Sequence, residues 1–229
     1  NANGTFSYTP TTNYSGTVNF TYQACDDDGL CDQATVTITI NPVNDAPVGN
    51  DDSYTTSEDV SITGQSVTGN DSDVDHANAQ LTWSLASGGT AATNGTLVFN
   101  ANGTFNWTPN ADFNGSVSFT YGVCDPAPLC DNSTTVTITV TAVNDGPTAN
   151  DDTFSVNEDA LLAAQNVTGN DNDVDNTNAQ LAWSLVNGGT AAANGTLVFN
   201  ANGTFNYTPN ANYNGAVSFI YQVCDPGPL

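Results

Sequence analysis

The sequence predicts an all-β protein made of tandem Greek-key β-sandwich domains in an extended array, and three observations carry that prediction. A domain-sized block recurs along the chain, apolar and polar residues alternate within each block, and Gly, Asn, Asp and Pro punctuate the alternating runs.

The recurrence is direct. NANGTFSYTP at residues 1–10 returns as NANGTFNWTP at 100–109 and NANGTFNYTP at 200–209. VNDAPVGNDD at 43–52 returns as VNDGPTANDD at 143–152, and SVTGNDSDVD at 66–75 as NVTGNDNDVD at 166–175. A period near 100 residues exceeds the units typical of solenoids and matches a domain. Each Val-Asn-Asp segment ends a strand-like run and is followed by Pro, which resists extension of that strand. The expected boundaries give a C-terminal part of a repeat at 1–44, a complete repeat at 45–143, and a repeat lacking its last strand at 144–229. So short a linker implies neighbours joined end to end.

Within the blocks, Val18, Phe20 and Tyr22 share one parity, as do Val36, Ile38 and Ile40. The middle copy repeats this with Val117, Phe119 and Tyr121, then Val136, Ile138 and Val140. Such alternation describes strands with one buried and one wet face. Leu81, Trp83 and Leu85 add a strand with core-facing parity, and Leu97–Phe99 with Phe105–Trp107 form a hairpin around Asn102-Gly103. Glu58 to Gly64 reads as one strand or edge. Its counterpart Glu158–Ala164 has the propensity for a short helical turn, which the repeated fold should override. About seven short strands per 100 residues fit a two-sheet sandwich.

Composition narrows the function. The 229 residues include no Lys or Arg and 24 acids, for a formal charge of −24, which excludes nucleic acid as a partner. Only 38% of residues are apolar, a balance that favours disorder, but 21 aromatic residues recur at fixed positions and oppose it. No run approaches the roughly 20 apolar residues of a membrane span. With no Met and no basic, apolar leader, the chain reads as a mature or excised soluble segment without an anchor of its own.

The cysteines fall as Cys25 with Cys31, Cys124 with Cys130, and Cys224 alone. Each pair brackets five residues where one strand ends and the next begins, so a disulfide across the hairpin mouth is expected. Structural zinc uses closer spacings, and no His lies beside these pairs. A disulfide here contributes about 2 kcal/mol and implies an oxidising, extracellular or cell-surface location. Cys224 would find its partner just beyond Leu229.

The acids cluster at turns and linkers: Asp26–Asp28, Asp45, Asp51, Asp52, Glu58, Asp59, and the alternating Asp71, Asp73 and Asp75. A single Asp in a turn needs no explanation beyond turn chemistry. Acids alternating within one loop can direct oxygens into one space, as calcium requires. Without a counter-ion they repel, by about 4 kcal/mol for a pair 4 Å apart at an effective dielectric near 20.

These segments together resemble the cadherin-like tandem repeats of long bacterial surface and secreted proteins, and more distantly the ectodomains of cadherins. The residues that carry the resemblance are Val-Asn-Asp-Ala-Pro at 43–47, Ser57-Glu58-Asp59, Gly69 to Asp75, the Asn-Gly-Thr-Phe-x-Tyr/Trp-Thr-Pro segments, and Phe20-Thr21-Tyr22 leading to Asp26. The resemblance implies cadherin/immunoglobulin-like sandwiches with Ca2+ between consecutive domains. Transferred position by position, it gathers Asn13, Asn44, Asp45, Asp71, Asp73 and Asp125 at the first junction. At the second it gathers Glu58, Asp112, Asn144, Asp145, Asp171, Asp173 and Asp225. The family's Asp-Arg-Glu segment has no clear counterpart. Its nearest match, Asn110 to Phe113, becomes Thr11 to Tyr14 and Asn210 to Tyr213 in the other copies, which implies fewer or weaker ions.

Catalysis finds no support, because the one His76 is replaced by Asn176 in the next copy and is expected only to cap the acidic loop. The expected function is a calcium-rigidified extracellular spacer or stalk in a repetitive surface adhesin or fibre, its partners the neighbouring repeats. Two alternatives stand beside it. One is a module binding carbohydrate or another cell surface through loops at a domain end. The other is a subunit of a self-assembling filament of identical chains, since both ends of the sequence fall inside a domain.

Overall fold

A computed structural model describes residues 3–227. The chain divides into two compact units, one running to residue 110 and including 116–140, the other combining 111–115 with 141 onward.

The first unit opens with the hairpin of β1 (Gly16–Cys25) and β2 (Cys31–Ile40), paired without interruption from Gly16 opposite Ile40 to Cys25 opposite Cys31. Val18, Val36, Ile38 and Ile40 share a half-buried face, while Phe20 and Tyr22 remain exposed. Seven strands follow: β3 (Asp52–Ser57), β4 (Ile62–Ser66), β5 (Thr82–Ser87), β6 (Gly95–Phe99), β7 (Thr104–Pro109), β8 (Gly115–Cys124) and β9 (Cys130–Thr141). They form one sheet in the order β3-β9-β8-β5 and another in the order β4-β7-β6. The chain crosses between sheets after β3, β4, β5 and β7, as a Greek-key sandwich does.

The alternating residues are the core. On one sheet Val117, Phe119, Tyr121, Val123, Val136, Ile138, Val140 and Trp83 are buried, and so are Ile62, Phe105 and Trp107 on the other, with Leu81 just before β5 and Val67 just after β4. Phe105 meets Phe119 edge-on at 5.1 Å between ring centroids. Trp107 Nε1 donates to Ala91 O at 2.9 Å, so its one polar atom is satisfied inside the core. The β6–β7 turn needs glycine at Gly103: φ is +76°, and a Cβ there would collide with Thr68 and press on Trp83.

Two local expectations are corrected. Leu85 is 43% exposed, because a register shift between Leu85 and Ser87 breaks the β5–β8 pairing, and Leu185 repeats this. Glu58 to Gly64 is not one strand: the chain turns at Asp59, with φ +60°, before β4 begins at Ile62. Its counterpart likewise turns at Asp159 and enters a strand rather than a helix. The helical turns lie elsewhere, at α1 (Gly89–Thr93) and α2 (Gly189–Ala193). Five residues are too few to show a helical period in the sequence.

The second unit contains β10 (Leu162–Asn166), β11 (Ala182–Asn187), β12 (Gly195–Phe199), β13 (Thr204–Pro209) and β14 (Ile220–Cys224). Its sheets are β10-β13-β12 and β11-β14. Val167, Leu181, Trp183, Phe205 and Tyr207 form its core, with Val217, Phe219, Tyr221 and Val223 only partly covered. Among the described residues this unit has no counterpart of β9. A cavity of about 740 Å³ opens between Phe154, Val156, Phe205, Val217 and Phe219. Among the described residues no helix is long and apolar enough to cross a membrane.

Candidate metal centre

The loop between β4 and β5 carries alternating acids that do different things. Asp71 points inward and is buried. It accepts from Trp83 Nε1 at 2.7 Å and from Asn50 N at 2.9 Å, and Tyr121 OH lies 3.0 Å from its Oδ1. Asp75 turns outward and accepts from Asp45 N at 2.7 Å. A two-way backbone bridge between Val48 and Ser72 clips the linker to the same loop.

Asp73 lies between them with its side chain fully buried. Its Oδ1 accepts from Asp75 N and His76 N, both at 2.7 Å, and the His76 ring nitrogen Nδ1 stands 3.3 Å away. Its Oδ2 is buried and has no hydrogen-bond partner. An ionised oxygen left in that state is costly, which marks the position as fit for a cation.

The third contributor arrives on the disulfide hairpin. The Cys124–Cys130 bond closes the β8–β9 loop, as Cys25–Cys31 closes β1–β2. Asp125 Oδ1 accepts from Ala127 N at 2.8 Å and Leu129 N at 3.0 Å, and its Oδ2 accepts from Asn44 Nδ2 at 2.6 Å. Burial acts to raise the Asp125 carboxyl, but these hydrogen bonds and nearby His76 prevail and hold it below the ordinary carboxylate range. One donor atom each from Asp73, His76 and Asp125 lie within 4.8 Å of one another. The arrangement can hold a metal ion.

The second unit builds the same loop. Asp171 accepts from Trp183 Nε1 at 2.9 Å, and Asp145 N donates to Asp175 Oδ2 at 2.8 Å. Asp173 Oδ1 accepts from Asp175 N at 2.9 Å and Asn176 N at 2.8 Å, and Asp173 Oδ2 is again buried without a partner. Asn144 Nδ2 donates to Asp225 Oδ2 at 2.6 Å, while Asn144 Oδ1 is buried and unpartnered. Cys224, the last residue of β14, is exposed and free.

The remaining expected ligands are Glu58 and Asp112, and a carboxylate oxygen of Asp112 lies within 4.8 Å of one of Asp145. Glu58 is buried in the turn after β3, and Asp112 is exposed with φ +57°. Asn13 and Asn212 hold the same left-handed conformation as Asp112, at φ +61° and +58°. That explains why Asn and Asp exchange freely at this position.

Sequence reasoning missed a second acidic cluster. Tyr121 OH lies 3.2 Å from Asp52 Oδ2 as well as bonding Asp71. Burial raises the Asp52 carboxyl to about 6; the Tyr121 hydrogen bond opposes this and the Asp71 charge adds to it. Asp152 is raised for the same first cause, and burial beside these acids pushes the Tyr121 and Tyr221 hydroxyls up. Other acids bind backbone: Asp51 accepts from Thr135 N at 2.8 Å and Asp131 from Gly49 N at 3.2 Å. With no Lys or Arg present, N–H dipoles answer much of the charge.

Comparison with known proteins agrees with this architecture. Residues 44–142 and 144–228 each match the bacterial cadherin-like domain, and residues 1–39 match a bacterial Ig domain. No curated protein gives a significant match. Among solved structures, the human desmocollin-1 ectodomain is similar at 16% identity and TM-score 0.46, over 91% of this chain and 43% of that one. Human protocadherin-24 EC1-2 is similar at 18% identity and TM-score 0.40, over 55% and 65%. An endo-fucoidan hydrolase of glycoside hydrolase family 107 follows at 18% identity and TM-score 0.36, over 95% and 33%. The chain thus spans less than two thirds of each of these proteins. The two matched domain types are non-catalytic adhesion modules of the bacterial surface and extracellular space. From residue 44 onward, the chain belongs to the bacterial cadherin-like domain family.

Proposed function

We propose that this stretch is a calcium-rigidified spacer within a bacterial surface adhesin or extracellular fibre, with repeat boundaries at 44/45 and 143/144. The observation that carries the reading is the buried, unpartnered Oδ2 of Asp73 and of Asp173, the same orphan oxygen in both cadherin-like repeats. A hard divalent ion supplies what such an oxygen lacks, and the chain offers no Lys or Arg to do so.

Asn44, Asp45, Asp73 and Asp125 would hold calcium at the first linker, and Asn144, Asp145, Asp173 and Asp225 at the second. Glu58 and Asp112 are the further acids assigned to the second junction. Asp71 and Asp171 support the loop from beneath, through the indole and phenol that they bind. An ion tying linker to loop stiffens the joint and stabilises the fold by mass action, about 2.7 kcal/mol when free ion exceeds the dissociation constant about 100-fold.

Small-angle scattering and thermal unfolding, each in calcium and in chelator, test this. Calcium should lengthen the maximum dimension and raise the unfolding midpoint. Identical values in the two conditions reject the calcium role.

A further inference from the structure

The two loops match in backbone and differ in one donor. His76 N and Asn176 N both donate to the Oδ1 of the aspartate three residues earlier, at 2.7 and 2.8 Å, so their side chains start from the same place. In the second unit the side chain at that place is an amide, whose Nδ2 donates to Asp173 Oδ1 at 3.4 Å, and Asp173 Oδ2 is buried without a partner. In the first it is an imidazole, gathered with Asp73 and Asp125 within 4.8 Å.

That difference changes which ion is preferred. Carboxylate and amide oxygens suit calcium and magnesium, whereas an imidazole nitrogen favours zinc, nickel or cobalt, and Asp₂His is a donor set that zinc accepts. The fully buried Asp73 side chain, with Oδ2 unpartnered, supplies an anionic ligand that needs no rearrangement to be desolvated. His76 is 19% exposed, which leaves the ring accessible from solvent.

We propose that Asp73, His76 and Asp125 form a mixed nitrogen–oxygen site that selects a borderline divalent ion of the zinc class, while the Asn176 loop remains an oxygen-only site. The inference rests on the reading that these loops hold divalent cations, and it separates two joints that would otherwise respond to the same ion. Zinc would then compete with calcium at the first joint and not at the second.

The test is isothermal titration of the metal-free full chain with zinc and with calcium, in a Cys224→Ser background so that the free thiol contributes nothing. Cobalt replaces zinc in a parallel titration followed by visible absorption. In the His76→Asn chain the ratio of zinc to calcium affinity should fall at least about tenfold, and the cobalt band should be lost. In the Asn176→His chain a second zinc equivalent should appear, a gain that misfolding cannot mimic. Zinc affinity unchanged by both substitutions overturns the proposal. Calcium binding without any His76-dependent zinc site overturns it while sparing the calcium spacer; His76-dependent zinc binding without calcium binding does the reverse.

Discussion

Asn44 Nδ2 donates to Asp125 Oδ2 at 2.6 Å across 81 residues of sequence, and Asn144 donates to Asp225 at the same distance and separation. The bond joins a linker residue to the hairpin loop that a disulfide closes in the first case. It therefore fixes where the linker enters the sandwich before any ion arrives. Removing it should loosen the ligand set rather than delete a ligand charge. Asn44→Ala is expected to weaken calcium binding about tenfold, the scale of a lost orienting partner, measured by calorimetric titration of the full chain. An unchanged dissociation constant would mean that the linker is not part of the site.

Asp71 gives the second prediction. Its carboxylate satisfies the Trp83 indole and the Asn50 amide and receives the Tyr121 hydroxyl. Asp71→Ala strands these buried donors, at a cost of about 2–4 kcal/mol in urea unfolding. If Asp71 acts beneath the site rather than in it, a variant that stays folded should retain calcium binding within a few-fold. Abolished binding in a folded variant would return Asp71 to the ligand set.

These residues also show what the sequence could and could not disclose. The strands were legible because Val117, Phe119 and Tyr121, or Val136, Ile138 and Val140, alternate with polar residues over lengths that only a sheet reconciles. The disulfides were legible because a fixed spacing recurs at a strand junction. Asp71 and Asp73 have the same residue type and the same parity, so sequence gives no means of separating them. What distinguishes them is an indole and a phenol that fold back from β5 and β8. The burial of Asp52 beside Tyr121 was illegible for the same reason, since the two lie 69 residues apart. His76 was legible but discounted, because its replacement by Asn176 argues against repeated chemistry and says nothing against chemistry in one copy.

The disulfide of the middle repeat should serve both the fold and the site. Cys124 and Cys130 lie six residues apart, so the closed loop is small and its loss costs about 2 kcal/mol by loop entropy. Because the loop positions Asp125, a Cys124→Ser/Cys130→Ser chain should lose calcium affinity at the first linker in addition to stability. Equal calcium affinity in the oxidised and cysteine-free chains would assign the bond to stability alone.

The acidic cluster under the loop predicts an inverted pH response for one group. Asp52 is raised by burial from an ordinary 3.8 to about 6 in the folded chain. A carboxyl raised on folding contributes stability that is complete below its unfolded value and is lost as pH rises through its folded value. Asp125 and Asp131 are lowered instead, so their contribution is present above the ordinary carboxylate range and is lost as pH falls through their folded values. In chelator, the unfolding midpoint should therefore rise as pH falls from about 6 to about 4 and fall again in stronger acid. Asp52→Asn removes the charge that burial disfavours and should flatten the limb between about pH 4 and about pH 6, the window set by Asp52. A midpoint that falls steadily from neutral pH downward in the parent chain would show that Asp52 ionises without cost beside Asp71.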